Sequence, residues 1–378
     1  MSQTKAQLVS GTSAQDLTVD NINTSSVNSS QLSNRNIIIN GAMEIAQRGT
    51  SFTDIGSSAV YPVDRFLMTN STGSARHTGT QDTDSPANFK NSIKSNCTTA
   101  SSGLTSSSLD QFKIEYRVEE KGFEWVQFGT ANAQALTLSF YIKSSQTGDT
   151  AVALVNSDNT RSFVHKFTIS STDWQRVTVN VPGDTGSNWH NGVIGIRIRW
   201  GSFGTTYQTS TFDQWQAGQK MTTNSNQINF AAATGNTLQI TGVQLEPGST
   251  ATDFQHRLIN QELILCQRFF QFIGSGFIAA ARGASSSVYL YSYTCPVNLR
   301  GAPTVSTSND ISHGTFTVRR YRDDTGVSDS TSVPSLNSTY YEFNNNTIHL
   351  QQDGFSAADD RSATIFVGGG AITLSSEL

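Results

Sequence analysis

Charge is scarce in this chain of 378 residues: Lys, Arg, Asp and Glu together make up 14% of it, against about a quarter in an average globular protein. The net charge is a mild −4, and the basic residues form no run, which argues against nucleic-acid binding as the main task. No apolar stretch approaches the ~18 residues needed to cross a membrane as a helix, so membrane insertion is not expected. The opening residues, MSQTKAQLVSGTSAQ, lack the apolar centre of a secretory signal. Cysteine is rare as well. Cys97, Cys266 and Cys295 match no metal-binding or CxxC spacing, and an odd count does not complete a disulfide framework. Idle or buried thiols made in a reducing cytoplasm are the expectation.

Catalytic motifs are also missing. There is no GxSxG elbow, HExxH, P-loop or Rossmann glycine pattern. The six histidines are scattered, from His77 to His349. Acid neighbours such as Glu119 and Glu120, or Asp359 and Asp360, would point to opposite faces of a strand and so make no glycosidase pair by themselves. No β-helical repeat of the depolymerase kind is evident. An enzyme is therefore not expected.

What is present is Gly, Ser, Thr and Asn, with aromatics at 10%, a mixture that suits strands and polar turns. Residues 1–35 are thin in hydrophobes and cannot build a core; they read as an extended arm or a disordered tail. Residues 36–257 read as a β domain. Candidate strands are Asn36–Ile39, Arg65–Thr69, Gln111–Val118, Leu136–Lys143, Ala151–Val155, Phe163–Ile169, Gln175–Val181, Val193–Trp200 and Asn236–Leu245. In one of them Ile194, Ile196, Ile198 and Trp200 form an inward face while Arg197 and Arg199 face out. Many strands at such spacing imply a sandwich or jelly roll. Arg76, His77 and residues 82–108 look like a long polar excursion from it.

Residues 258–273 read as a short linker helix capped by Asn260. Leu265 and Phe272, seven residues apart, would stack on a face separate from the main apolar stripe. That second face meets either the neighbouring β regions or sister chains in a homo-oligomer. Residues 274–378 read as a second, small β-sandwich. The fold class is thus all-β: an extended N-terminal arm, a jelly-roll β-sandwich, a short helix and a C-terminal β domain. Among the polar loops, Trp189 with His190 and Asn191 forms a candidate sugar contact, with core packing as its alternative.

Several stretches resemble one family. ITGVQLEPGSTATDFQHRLINQELILCQRFFQ, NRNIIINGAMEIAQRGTSF, Val63-Asp64-Arg65-Phe66, Asp173-Trp174-Gln175-Arg176 and the C-terminal LSSEL are similar to segments of bacteriophage tail fibres and tail-associated receptor-binding proteins. The resemblance spans about Asn36 to Leu378; Asp253-Phe254-Gln255-His256 departs from its Pro-Phe-Glu-His pattern. It implies a jelly roll like that of carbohydrate-binding modules and a virion location in the phage tail after assembly in the host cytoplasm. It also implies a homotrimer docked on other tail proteins through the N-terminal arm and binding a host surface glycan or protein. A structural capsid, neck or tail decoration is the alternative. In such fibres the distal end meets the host, which makes Arg320, Tyr321, Arg322 and Asp323, taken as a polar loop, candidate contacts. Carbohydrate-binding jelly rolls often hold a structural Ca²⁺ between their first and last strands, which here would fall to Glu44 and Glu246; ordinary hydrogen bonds are the alternative.

Overall fold

The computed structural model describes residues 35–71, 73–101, 111–186, 189, 192–223, 227–273, 276–285, 288–307, 317–322, 328–332, 342–344, 347–353, 362–369 and 372–378. Of the expected arm, residues 1–35, all but Arg35 lie outside them. Residues 36–378 form one compact unit.

In chain order the first strands are β1 (Ser51–Ile55), β2 (Val60–Val63), β3 (Phe66–Asn70), β4 (Arg76–Asp82), β5 (Ser92–Thr99), β6 (Gln111–Glu119), β7 (Leu136–Ser144), β8 (Gly148–Val155), β9 (Arg161–Ile169), β10 (Gln175–Val181), β11 (Ile194–Phe203), β12 (Gln208–Thr209), β13 (Trp215–Ala217), β14 (Thr222–Thr223) and β15 (Thr237–Pro247). Of these, β12 and β14 pair in parallel as a separate two-stranded sheet. The other thirteen build a six-stranded sheet, β1-β4-β5-β15-β7-β10, and a seven-stranded sheet, β13-β9-β8-β11-β6-β3-β2. All pairings within these two sheets are antiparallel. The result is an all-β sandwich of the jelly-roll class.

Alternation along each strand makes the sandwich close. Leu136, Leu138, Phe140 and Ile142 of β7 and Val177, Val179 and Val181 of β10 share one core with Ile196, Ile198 and Trp200 of β11. Each such side chain contributes about 1.5–3 kcal/mol on leaving water. Phe140 from one sheet meets Trp200 from the other edge to face, with ring centroids 5.5 Å apart. The beginning and end of the sandwich lie side by side, as expected: Ile37 N–H donates to Leu245 O at 2.9 Å, and Val243 N–H to Gly41 O at 2.9 Å. Residues 35–38 nevertheless carry no strand assignment.

Two expectations fail inside the sandwich. The supposed polar excursion after Arg76 contains β4 and β5, both within the six-stranded sheet. Apart from Ile93, their inward positions hold small or polar groups. His77 is buried against Phe112, ring centroids 4.1 Å apart, and burial pushes its imidazole down to about 4. Period-two hydrophobicity is therefore weak there, which hides the strands. Arg199 likewise does not face water. It is 2% exposed, because the chain after β11 folds back over that face and packs Phe203, Tyr207 and Met221 against Ala151, Ala153 and Val155.

Beyond the sandwich come α1 (Ile259–Gln267), β16 (Phe270–Ile273), β17 (Gly276–Ser285), β18 (Val288–Thr294), β19 (Thr304–Thr307), β20 (Thr317–Arg322), β21 (Ser328–Ser332), β22 (Glu342–Asn344), β23 (Thr347–Asp353), β24 (Ser362–Gly369) and β25 (Ile372–Ser375). They form a three-stranded sheet, β16-β25-β19, and a seven-stranded sheet, β21-β20-β24-β17-β18-β23-β22. The helix is shorter than the sequence pattern predicts. Leu258, not Asn260, occupies its N-cap, and no side chain caps it. Phe272 sits on β16 opposite Thr373. It therefore shares no helical face with Leu265, and both side chains are half-buried. Aromatic residues in FFQF favour the extended backbone that β25 offers to pair.

The C-terminal residues return to the sandwich. Ser376 N–H donates to Phe269 O at 2.8 Å, and Arg300 Nε to Ser376 O at 3.0 Å. Glu377 accepts from Arg48 Nη2 at 3.1 Å and from Arg65 Nη1, and Arg117 donates to Leu378 O. The Arg48 and Arg65 guanidinium groups lie over the rings of Phe270 and Phe269, 3.7 and 3.5 Å from the centroids.

Candidate functional site

The outer face of the six-stranded sheet is polar, because every second residue of its strands avoids the core. On β7 these residues are Thr137, Ser139, Tyr141 and Lys143, the last two opposite Thr241 and Gln239 of β15. On β10, Arg176 lies opposite Tyr141. Between Thr241 and Gln244 the register of β15 shifts, and Gly242 takes φ +60° at that bulge. A Cβ at Gly242 would stand 2.7 Å from Phe89 Cζ and 2.9 Å from Tyr141 Cδ2. The glycine is what lets two rings close over the strand.

Above it lies a cleft of about 600 Å³. Phe89, Tyr141, Phe254 and His256 supply rings to its wall, and Asn88, Ser139, Arg176 and Asp253 supply polar groups. Phe89 is the hub: its ring centroid is 5.4 Å from Tyr141, 5.0 Å from Phe254 and 5.3 Å from His256. Residues 252–256 are held by buried side chains of β15. Glu246 accepts from Thr252 N–H at 2.9 Å and from its hydroxyl at 2.6 Å. Gln244 Nε2 donates to Glu246 at 2.9 Å, and Gln244 Oε1 accepts from Gln255 N–H at 2.8 Å. Thr252 O in turn accepts from Arg176 Nη2 at 2.6 Å. On the same face, Asp84 accepts from Lys143 at 2.8 Å and from Trp174 Nε1 at 3.0 Å. The Lys143 hydrogen bond, helped by that of Trp174, holds the Asp84 carboxyl below its ordinary range.

Gly242→Ala tests the construction. A left-handed non-glycine residue is strained, and its methyl group collides with two rings, so a loss of about 1–3 kcal/mol is expected in a urea titration. An unchanged midpoint would mean that the rings do not need the bulge.

The residues singled out by sequence fare differently. Trp189 is 2% exposed, edge-on to Trp215 and Phe128 at 5.0 and 4.8 Å. Its Nε1 donates to Asp184 at 2.8 Å. With its ring buried and its one donor satisfied, it is a core residue and no platform for a ligand. His190 and Asn191 lie outside the described residues. Arg320, Tyr321 and Arg322 belong to strand β20, between β21 and β24, with Arg320 opposite Asp329 and Ile365; they are not in the loop that was expected. Asp323 lies outside the described residues.

Glu246 uses its carboxylate on N–H and O–H donors, and Glu44 is half-buried outside any strand. Among the described residues no three His, Cys, Asp or Glu side chains gather as a metal would need. The donor set at Glu246 does not fit a Ca²⁺ ion, which takes 6–8 oxygen ligands. The cleft residues themselves were missed. The available signal was Tyr141, an aromatic at an outward position of β7, together with the Asp253-Phe254-Gln255-His256 departure noted above.

No protein-family model matches the chain, and no curated protein does either. Solved structures similar to it include a CBM4 protein, at 12% identity and TM-score 0.27, covering 55% of this chain and 98% of that one. Another is the family 11 carbohydrate-binding module of a Clostridium thermocellum cellulosomal cellulase, at 12% and 0.26, covering 52% and 98%. A third is a putative sugar binding protein from Bacteroides thetaiotaomicron, at 15% and 0.29, covering 56% and 100%. At these identities and scores the likeness transfers no ligand to this chain.

Proposed function

We propose that this chain is a non-catalytic glycan-binding protein, the tail fibre or adhesin of a bacteriophage, and that the cleft beneath Phe89 holds a host surface glycan. The observation that carries this reading is the convergence of four rings with a guanidinium, a carboxylate and an amide in one cleft. Sugar rings present C–H faces that stack on aromatics and hydroxyls that pair with such polar groups. Its volume falls within the roughly 300–1,000 Å³ usual for small-ligand sites. The family resemblance of residues 36–378 supports the phage assignment. The same resemblance supports a homotrimer attached to other tail proteins by residues 1–35, on the virion. Leu258, Ile259 and Ile264, at 72%, 51% and 53% exposed, favour neighbours around α1. Several copies would multiply weak single-site binding.

Calorimetric titration with oligosaccharides from the host surface tests the site. Tyr141→Ala should weaken binding by about tenfold while leaving the fold intact. A full-length protein that binds no host glycan would sink the reading. If instead phage carrying Tyr141→Ala adsorb normally, a structural capsid, neck or tail protein becomes the better account. Electron microscopy of the particle then gives position and copy number.

A further inference from the structure

Resting on the glycan reading of the cleft, we infer that its ligand bears an anionic group, a carboxylate or a phosphate, which Arg176 receives. On the outer face of the six-stranded sheet, cations come with acids. Lys94 pairs with Asp82 at 2.9 Å, and Lys143 with Asp84 at 2.8 Å. Arg176 breaks that pattern. Among the described residues no carboxylate forms an ion pair with it, and its one hydrogen bond is to the main-chain oxygen of Thr252. It is exposed, lines the cleft and stands opposite Tyr141 in register.

That single bond matters for what the guanidinium can do. Thr252 is itself fixed by two hydrogen bonds to the buried Glu246. Arg176 is therefore tethered at one nitrogen, and part of its ordering entropy is lost before any ligand arrives. The remaining N–H donors keep the planar fork that matches a carboxylate or phosphate at two points. Charge-assisted bonds of this type are roughly twice as strong as those to neutral hydroxyls. A neutral sugar would leave this advantage unused. Asp253 lines the same cleft but is exposed, so water and salt screen its repulsion more than they screen a direct contact. The aromatic rings then set where the sugar lies, and Arg176 selects which sugar it is.

The test uses the full chain and three probes: a neutral oligoglucoside, an oligogalacturonate, and the oligoglucoside carrying a sugar phosphate. Tighter binding of either anionic probe is expected, weakening as salt is raised, and falling by about tenfold or more in Arg176→Gln. Binding of the neutral probe should survive that substitution, which also shows that the variant folds. The two anionic arms separate carboxylate from phosphate. Equal affinity for neutral and anionic probes, or an unchanged affinity in Arg176→Gln, overturns the inference while leaving the glycan reading standing. If none of the three binds, and host glycans do not bind either, both fall together.

Discussion

Glu115→Gln is expected to cost the sandwich about 3 kcal/mol or more. Glu115 is fully buried on β6 and is held by three cations. Arg199 Nε donates to it at 2.6 Å, Lys113 approaches at 3.1 Å, and Arg117 donates through Nε. Burial alone would raise its carboxyl, but the charges of Arg199, Lys113 and Arg117 outweigh that and hold it far below the usual range. Arg199 is also buried. Glutamine keeps the shape and removes the counter-charge, which leaves an uncompensated guanidinium inside the sheet. Lys113, pushed down to about 8 chiefly by burial, would fall further. The readout is the urea midpoint at constant slope. A second variant, Glu115→Gln with Arg199→Met, should recover much of the loss, because a buried pair replaced as a whole is often neutral. A loss under about 1 kcal/mol in the single variant would mean that water reaches Arg199.

The same group gives a pH dependence with a definite sign. The folded carboxyl titrates below its unfolded value of 4.5. The folded state therefore binds fewer protons at acid pH, and its contribution is present above that value and lost as pH falls below it. Wild type should lose stability progressively under pH 4.5, and Glu115→Gln should lack that share of the decline.

Glu377→Ala should be comparably damaging, on the order of 3 kcal/mol, and local to the C-terminal strands. Its carboxylate neutralises Arg48 and Arg65, whose side chains are 8% and 2% exposed. Both guanidinium groups are pinned over Phe270 and Phe269, so neither can swing out to water without uncovering a ring. Asp64 lies 3.7 Å from Arg48, but it already accepts from Gln47, and burial pushes its carboxyl up to about 6. It is a poor substitute. Hydrogen exchange should rise first across β16 and β25, and amides of β7 and β15 should stay protected. Uniform loss of protection would show that this latch and the sandwich core unfold as one.

Much of the fold was legible because it rests on periodicity. β10 matches the strand predicted at Gln175–Val181 residue for residue, since Val177, Val179 and Val181 alternate with polar neighbours. β4 and β5 were hard to read because Ile93 is the one large apolar side chain at their inward positions, the others being His77, Gly79, Ser95 and Cys97, too little for a period-two signal. β24 and β25, separated in sequence by two residues, belong to different sheets. Glycine spacing marked the break, but not which sheet each strand would join.

The candidate site was less legible still. Phe89 and Phe254 are 165 residues apart in number, yet their rings meet at 5.0 Å. Nothing local to either residue announces the other. Trp189 read as either a ligand platform or a core residue because its neighbours are polar; the structure decides it by placing Asp184 where it accepts the hydrogen bond of the buried indole N–H.

From its residues alone, this chain was bound to be all-β: sparse charge, alternating apolar positions and polar turns leave few other ways to bury its hydrophobes. Tertiary structure alone decided which outward faces stay wet. A strand's second face is polar whether it meets solvent, a buried ion pair like that of Arg199, or a cleft like that at Tyr141. Only the long-range path of the covering segments distinguishes the three.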